Sequence, residues 1–210
     1  MAYVQSVETS EVDALRAVWG DAPQRTAVLE VEHPFLTGEH QMLASNGRRA
    51  EVCYVMHRGD PTTGLLLHTK QFYPNSAYRL PTGGIHQGEL VIDTLAREIT
   101  EETGLVVGYR PEHVQVQRFL GLLAYEMHHR QAGRTFTFAT YHFLVQMPAD
   151  ADLNPQDPEE QIAGWQWCLP PDLHGVADIL ENVRGSYPFW GDWGQFRSLS
   201  HRFVATALEN

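Results

Sequence analysis

Cysteine is scarce in this chain, basic residues are outnumbered, and no long apolar run occurs. The two cysteines, Cys53 and Cys168, sit in apolar, strand-like stretches. They read as reduced packing residues rather than as a disulfide framework. A membrane-spanning helix needs roughly 18 or more consecutive apolar residues, and no such run exists, so no span is expected. The opening residues, MAYVQSVETSEVDALRAVWG, hold no basic segment followed by an apolar core. No secretory signal is expected there, and the reading is a cytoplasmic protein. Lysine and arginine number 15 against 26 aspartates and glutamates, for a net charge of −11. Duplex nucleic acid, whose phosphate backbone favours a basic surface, is therefore not an expected partner. A small phosphorylated substrate remains compatible, because a local metal ion can neutralise its charge. Internal repeats and low-complexity tracts are also missing.

What is present is a mixture of alternating and helical patterns over 210 residues, a length that suits one α/β domain with additions. Residues 10–19 predict a short helix with Ser10 as its N-cap. Thr26 to Glu32 alternates as a strand, and His33 to Gly47 is irregular. Glu51 to His57 and Leu65 to Gln71 read as strands joined by a turn-rich connection. Val114 to Met127 and Thr135 to Met147 read as a longer hairpin, and Gln161 to Cys168 as a last strand stopped by Pro170-Pro171. Residues 172–183 and 195–208 are expected to be helical, with a Trp-, Tyr- and Gly-rich connector over 185–194. The domain reading is an N-terminal extension of helix and strand over 1–47, a main domain over 48–184, and a C-terminal connector and helix over 185–210. The two extensions can cover a sheet edge, build a homodimer or simply pack.

Residues 83–105 read GGIHQGELVIDTLAREITEETGL and concentrate the chemistry. The upstream Pro81-Thr82-Gly83-Gly84 reads as a turn whose glycines let the backbone approach a ligand. A helix over about 89–103 places Ile92, Leu95, Ala96 and Ile99 on one apolar stripe. At about 100° per residue, Glu98, Glu101 and Glu102 then share another face. Glu98 and Glu102 are i,i+4 neighbours, as are Arg97 and Glu101, so the arginine can orient a carboxylate. Gly104 suits a left-handed C-cap. Clustered carboxylates repel one another, and a hard divalent cation such as Mg²⁺ or Mn²⁺ reverses the sign of that interaction.

Gly83, Glu89, Arg97, Glu98, Ile99, Glu101, Glu102, Gly104 and Leu105 match the fixed positions of the Nudix box, and the chain resembles a Nudix hydrolase. The resemblance implies an α/β/α sandwich around a mixed sheet. It implies a metal-dependent pyrophosphohydrolase acting on a nucleoside diphosphate linked to another group. It implies Glu98, Glu101 and Glu102 as Mg²⁺ or Mn²⁺ ligands together with the Gly83 carbonyl, and Arg97 and Glu89 as orienting residues. Thr82 and His86 stand where the family often has glycine and glutamate.

The general base is expected from a box glutamate, Glu98 or Glu101, or from the loop Asp157-Pro-Glu159-Glu160, with Glu160 carried forward and Glu126 a further candidate. Arg79 is the expected phosphate contact nearest the box, with Arg49, Lys70 and Arg118 as others, because a guanidinium matches phosphate oxygens. Tyr78 is expected to face the substrate, with Phe72, Tyr73, Tyr125 and Phe138 as other aromatics. His128-His129 reads as a hairpin-end pair pointing to opposite faces. The substrate reading is a small phosphorylated nucleotide, with ADP-ribose or another nucleotide sugar ahead of a nucleoside triphosphate. Two alternatives stand beside it: a nucleotide-binding sensor on the same fold, and a prenyl diphosphate isomerase using Cys53.

Overall fold

The computed structural model describes residues 6–32, 47–131 and 133–209. The elements run α1 (Thr9–Trp19), β1 (Gln24–Val31), β2 (Arg48–Arg58), β3 (Leu65–Lys70), β4 (Thr82–His86), α2 (Val91–Thr103), β5 (Gln115–His129), β6 (Arg134–Met147), β7 (Ile162–Cys168), α3 (Leu173–Glu181) and α4 (Trp190–Leu208). Apart from Gly47, the stretch expected to be irregular lies outside the described residues. α1 starts at Thr9 with Glu8 at the N-cap and no side-chain cap, in place of the expected Ser10.

The strands form a seven-stranded mixed sheet in the order β1-β5-β6-β2-β3-β7, with β4 paired to β2 beside β3. β1 runs parallel to β5 and β2 parallel to β6, while the other pairings are antiparallel. Side chains alternate across a strand, so β2 feeds both faces. Cys53 and Val55 enter one apolar cluster, with Leu173, Leu180, Phe196 and Phe203 from α3 and α4. Val52, Tyr54 and Met56 enter the other, with Val12 and Leu15 of α1 and Leu95 and Ile99 of α2. The result is an α/β/α sandwich in which described parts of both extensions contribute to the sheet or its two cores. No described helix is long and apolar enough to cross a membrane.

Three local readings change. Thr82, Gly83 and Gly84, expected in a turn with Pro81, begin the strand β4, because β2 supplies an antiparallel partner from Cys53↔Thr82 to Arg48↔His86. Leu105-Val106-Val107, whose apolar composition reads as a return toward a strand after the box, makes only an isolated bridge, Val107↔Val114. α4 begins at Trp190 rather than Gln195, despite Gly191 and Gly194. A Cβ at Gly194 would lie 2.0 Å from the Leu180 carbonyl oxygen, so the glycine permits close packing of α4 on α3. That packing outweighs the intrinsic helix cost of glycine.

Candidate active site

The site is built where β4 leads into α2. The chain approaches through Arg79–Pro81, held by reciprocal 2.9 Å backbone hydrogen bonds between Arg79 and His68, and by the Tyr54 N–H donating to the Pro81 carbonyl. The Leu80 N–H donates to His201 Nε2 at 2.9 Å, which ties this approach to α4. His201 Nδ1 donates to the Arg197 carbonyl, so the imidazole is neutral, and burial pushes its pKa down to about 3.

Gly83 and Gly84 are successive residues of β4 and face opposite sides of the strand. A Cβ at Gly83 would fall within 2.0 Å of the Glu98 carboxyl carbon. A Cβ at Gly84 would lie 2.7 Å from Arg48 Nε. The missing side chains thus seat a carboxylate on one face and a guanidinium on the other.

On the carboxylate side, Arg97 Nη1 lies 2.8 Å from both Glu98 Oε1 and Glu101 Oε2. Its Nη2 donates to the Gly84 carbonyl at 3.0 Å, and its Nε is 3.3 Å from Glu89 Oε1. Glu89 precedes the helix and accepts from the His86 N–H and the Thr94 hydroxyl. Arg97 therefore gathers the acids around one guanidinium, as a planar fork with several donors can. Burial pushes the Glu98 carboxyl up, with Arg97 pulling the other way. The box helix also differs from its expected helical wheel. Glu98 and Glu102 are buried on the same side as Leu95 and Ile99 rather than on a separate face.

Glu102 has partners other than Arg97. It is fully buried, accepts a hydrogen bond from the Tyr54 hydroxyl, and lies 3.2 Å from Lys70 Nζ and 3.7 Å from His68 Nδ1. Burial pushes its pKa up to about 7, against the pull of Lys70 and Arg79. Lys70 also pairs with Glu160, whose carboxyl it holds below the usual range against the opposing effect of burial. The three box acids thus divide between two cations: Arg97 takes Glu98 and Glu101, and Lys70 joins Glu102 to Glu160. Among the described residues, no group of three or more His, Cys, Asp or Glu side chains is arranged as a metal cage.

A cavity of about 460 Å³ opens over these groups. Gly83, Arg97, Glu98, Glu101, Glu160 and Arg79 line it, and Glu102 lies behind the wall. Tyr78 does not reach it; that ring packs toward Gly164, where a Cβ would be 3.2 Å from its hydroxyl. Phe72 and Tyr73 do line the cavity, with Tyr73 packed against Trp190 and Trp193. Tyr125 and Phe138 belong to the core. Arg49 pairs with Glu11, while Arg118 lies in a separate cavity and donates to the Ala207 carbonyl. Glu126 is exposed on β5. Cys53 is fully buried, and burial raises its thiol far above the range in which it ionises. His129 is buried and its neighbour His128 is not, as alternation along β5 requires.

Sequence reasoning missed the opposite wall. Arg48, Arg197, Trp190 and Trp193 also line the cavity. Arg197 comes from α4, and its Nη1 lies 2.8 Å from Oε1 of the buried Glu51. The only sequence signal is a lone arginine at helical spacing from His201, which says nothing about a partner 146 positions away.

The NUDIX domain family profile matches residues 47–189 of the chain. An RNA pyrophosphohydrolase of Acinetobacter baylyi is 33% identical over 139 residues, covering 60% of this chain and 76% of its own length. A second RNA pyrophosphohydrolase, from Shewanella piezotolerans, is 35% identical over 75 residues, covering 36% of this chain and 39% of its own length. Among solved structures, the E. coli dihydroneopterin triphosphate pyrophosphohydrolase aligns at 16% identity with a TM-score of 0.45, covering 72% of this chain and 95% of its own. A C. elegans Ap4A hydrolase aligns at 18% identity with a TM-score of 0.44, covering 75% and 98%. With the family match spanning most of its length, the chain belongs to the Nudix family of pyrophosphohydrolases.

Proposed function

We propose that the protein hydrolyses the phosphoanhydride bond of a nucleoside diphosphate linked to another group, with Mg²⁺ or Mn²⁺ as cofactor. The observation that carries this reading is the cavity wall on which Arg97 holds Glu98 and Glu101 side by side, with Glu98 seated against Gly83. The donor set fits a hard divalent ion. Glu98, Glu101 and Glu160 present carboxylate oxygens to the cavity, and buried Glu102 has an Oε1 with no directed hydrogen bond. When bound, such an ion neutralises phosphate charge and lowers the pKa of a coordinated water.

The residues then divide the work. Arg97 fixes the two carboxylates, so little reorganisation is needed when the substrate arrives. Water attacks one phosphorus, its oxygen forms the new P–O bond, and the bridging oxygen departs with the other phosphate. The water's proton goes to whichever of Glu98 and Glu101 is not engaged with the ion, both of which face the cavity. Glu160, kept ionised by Lys70, contributes negative charge rather than basicity. Phe72 and Tyr73 offer aromatic surface at the cavity for a base or sugar.

The test is a panel of ADP-ribose, nucleotide sugars, nucleoside triphosphates and, given the name of the Acinetobacter relative, 5′-triphosphate RNA ends. Release of monophosphate or pyrophosphate in Mg²⁺, absent in EDTA, is the expected result. Tight binding of one member with no turnover of any would favour a nucleotide sensor instead.

A further inference from the structure

Across β4 from Glu98, two guanidinium groups pair with one buried carboxylate and a third joins them through a shared hydroxyl. Arg48 Nη2 is 2.8 Å from Glu51 Oε2, and Arg197 Nη1 is 2.8 Å from Oε1 and 3.0 Å from Oε2. Arg79 joins through Thr82, whose hydroxyl accepts from Arg79 Nη1 at 2.9 Å and from Arg197 Nη1 at 3.2 Å. Arg79 is 2% exposed and Arg197 6% exposed, yet all three line the same cavity as Glu98. The Nε atoms of Arg48 and Arg197 have no hydrogen-bond acceptor.

Among the described residues Glu51 is the only carboxylate in direct ion-pair contact with these three guanidiniums, while Glu98 acts on Arg48 and Glu102 on Arg79 from farther away. Buried cations without a matching anion are costly, and an arriving anion relieves that cost. Guanidinium forks match phosphate oxygens in geometry as well as charge. Cation–π contacts from Arg79 to Tyr73 and from Arg197 to Phe196 help hold the groups in place but add no negative charge. Because the chain as a whole carries −11, the cationic character is local to this wall.

We infer that Arg48, Arg79 and Arg197 form an anion subsite that takes a phosphate of the substrate other than the one being attacked. The inference rests on the hydrolase reading and narrows it. Preferred substrates carry at least one phosphate beyond the scissile diphosphate, as nucleoside triphosphates and 5′-triphosphate ends do. ADP-ribose, whose diphosphate is flanked by uncharged sugars, fills the subsite poorly. α4 is then part of the substrate site, because it supplies Arg197.

The test begins with calorimetric titration of inorganic tripolyphosphate into the whole protein in EDTA, where the carboxylate wall repels anions. Wild type is expected to bind, and Arg48→Gln and Arg197→Lys are each expected to bind about tenfold more weakly, as loss of a charge-assisted hydrogen bond implies. Arg118→Gln, in the separate cavity, tests for nonspecific charge and is expected to bind as wild type does. Circular dichroism and melting of each variant identify any that fails to fold, and Arg48→Gln, the more accessible position, then carries the comparison. No binding by wild type, or equal loss in Arg118→Gln, overturns the subsite. With Mg²⁺, Arg48→Gln should lower kcat/KM for ATP about tenfold more than for ADP-ribose; equal losses also overturn it. Tripolyphosphate binding without turnover of any substrate would instead sink the hydrolase reading and leave the subsite standing.

Discussion

Glu98 fills the space that a side chain on Gly83 would need: a Cβ on the glycine would lie 1.9 Å from Glu98 Cγ. The carboxylate reaches the cavity wall because the strand beside it has no side chain at that point. The requirement is one of volume, since Gly83 is not among the glycines with positive φ.

Gly83→Ala should therefore displace Glu98 while leaving the ladder between β2 and β4 in place. A shift of about 1 Å in a catalytic group costs roughly a hundredfold in rate. Turnover of the best panel substrate, measured beside far-UV circular dichroism, checks this. Near-normal turnover would show that the seat does not matter.

Arg97 bridges Glu98 and Glu101 from a single Nη1 atom and also reaches Glu89 and the Gly84 carbonyl. Lysine retains the charge but lacks the planar fork. Arg97→Lys should lose about tenfold or more in kcat, and Arg97→Gln more still, with folding preserved because the side chain is one-third exposed. Equal activity of Arg97→Lys and wild type would remove the orienting role.

Glu102→Gln keeps a side chain that can accept from Tyr54 but removes a buried charge whose pKa stands at about 7. Turnover is expected to fall by about a hundredfold or more if this carboxylate helps hold the metal. The melting temperature should stay level or rise, because a buried charge carries a desolvation penalty. A normal rate would contradict the ligand assignment.

Metal removal supplies a readout apart from catalysis. An ion that binds only the folded state raises stability by RT ln(1 + [L]/Kd), about 3 kcal/mol at a hundredfold excess over Kd. Mg²⁺ or Mn²⁺ should thus raise the melting temperature, and Glu98→Gln should blunt the rise. An unchanged melting curve across millimolar Mg²⁺ would argue against a site on the box acids.

Stability should fall in mild acid, because three buried histidines, His68, His142 and His201, outweigh the opposing proton uptake by folded Glu102, whose pKa stands at about 7. Burial lowers His201 to about 3 and His142 to about 4, whereas an unfolded histidine titrates near its ordinary value. As pH drops through about 6.5, the unfolded chain takes up protons that the folded chain refuses, so stability falls until the folded-state pKa values are reached. Each imidazole contributes roughly 1 kcal/mol per pH unit in that window. Urea melts between neutral pH and pH 5 should show the loss, and His201→Gln should flatten the slope. A melt midpoint independent of pH would be inconsistent with three neutral, buried imidazoles.

Much of the fold was legible in the sequence. The apolar run from Val52 to Met56, the long hairpin of β5 and β6, and the helix of the box follow local composition and periodicity. β4 was not legible, because Thr82-Gly83-Gly84 has turn composition, and only pairing with β2 makes it a strand. The early start of α4 was hidden by Gly191 and Gly194, whose value lies in contact with α3 rather than in local preference.

The sequence by itself determined the acidic helix: spacing places Glu98, Glu101 and Glu102 on one helix, with Arg97 in reach of Glu101, since i,i+4 neighbours on a helix are set by rise and turn alone. Tertiary structure decided which acid stays at the cavity and which is buried against Tyr54 and Lys70. It also brought Arg48, Arg79 and Arg197 together from a strand, a loop and a distant helix around Glu51. Charges far apart in the chain meet only when packing carries them into the same low-dielectric space, and no residue spacing records that encounter.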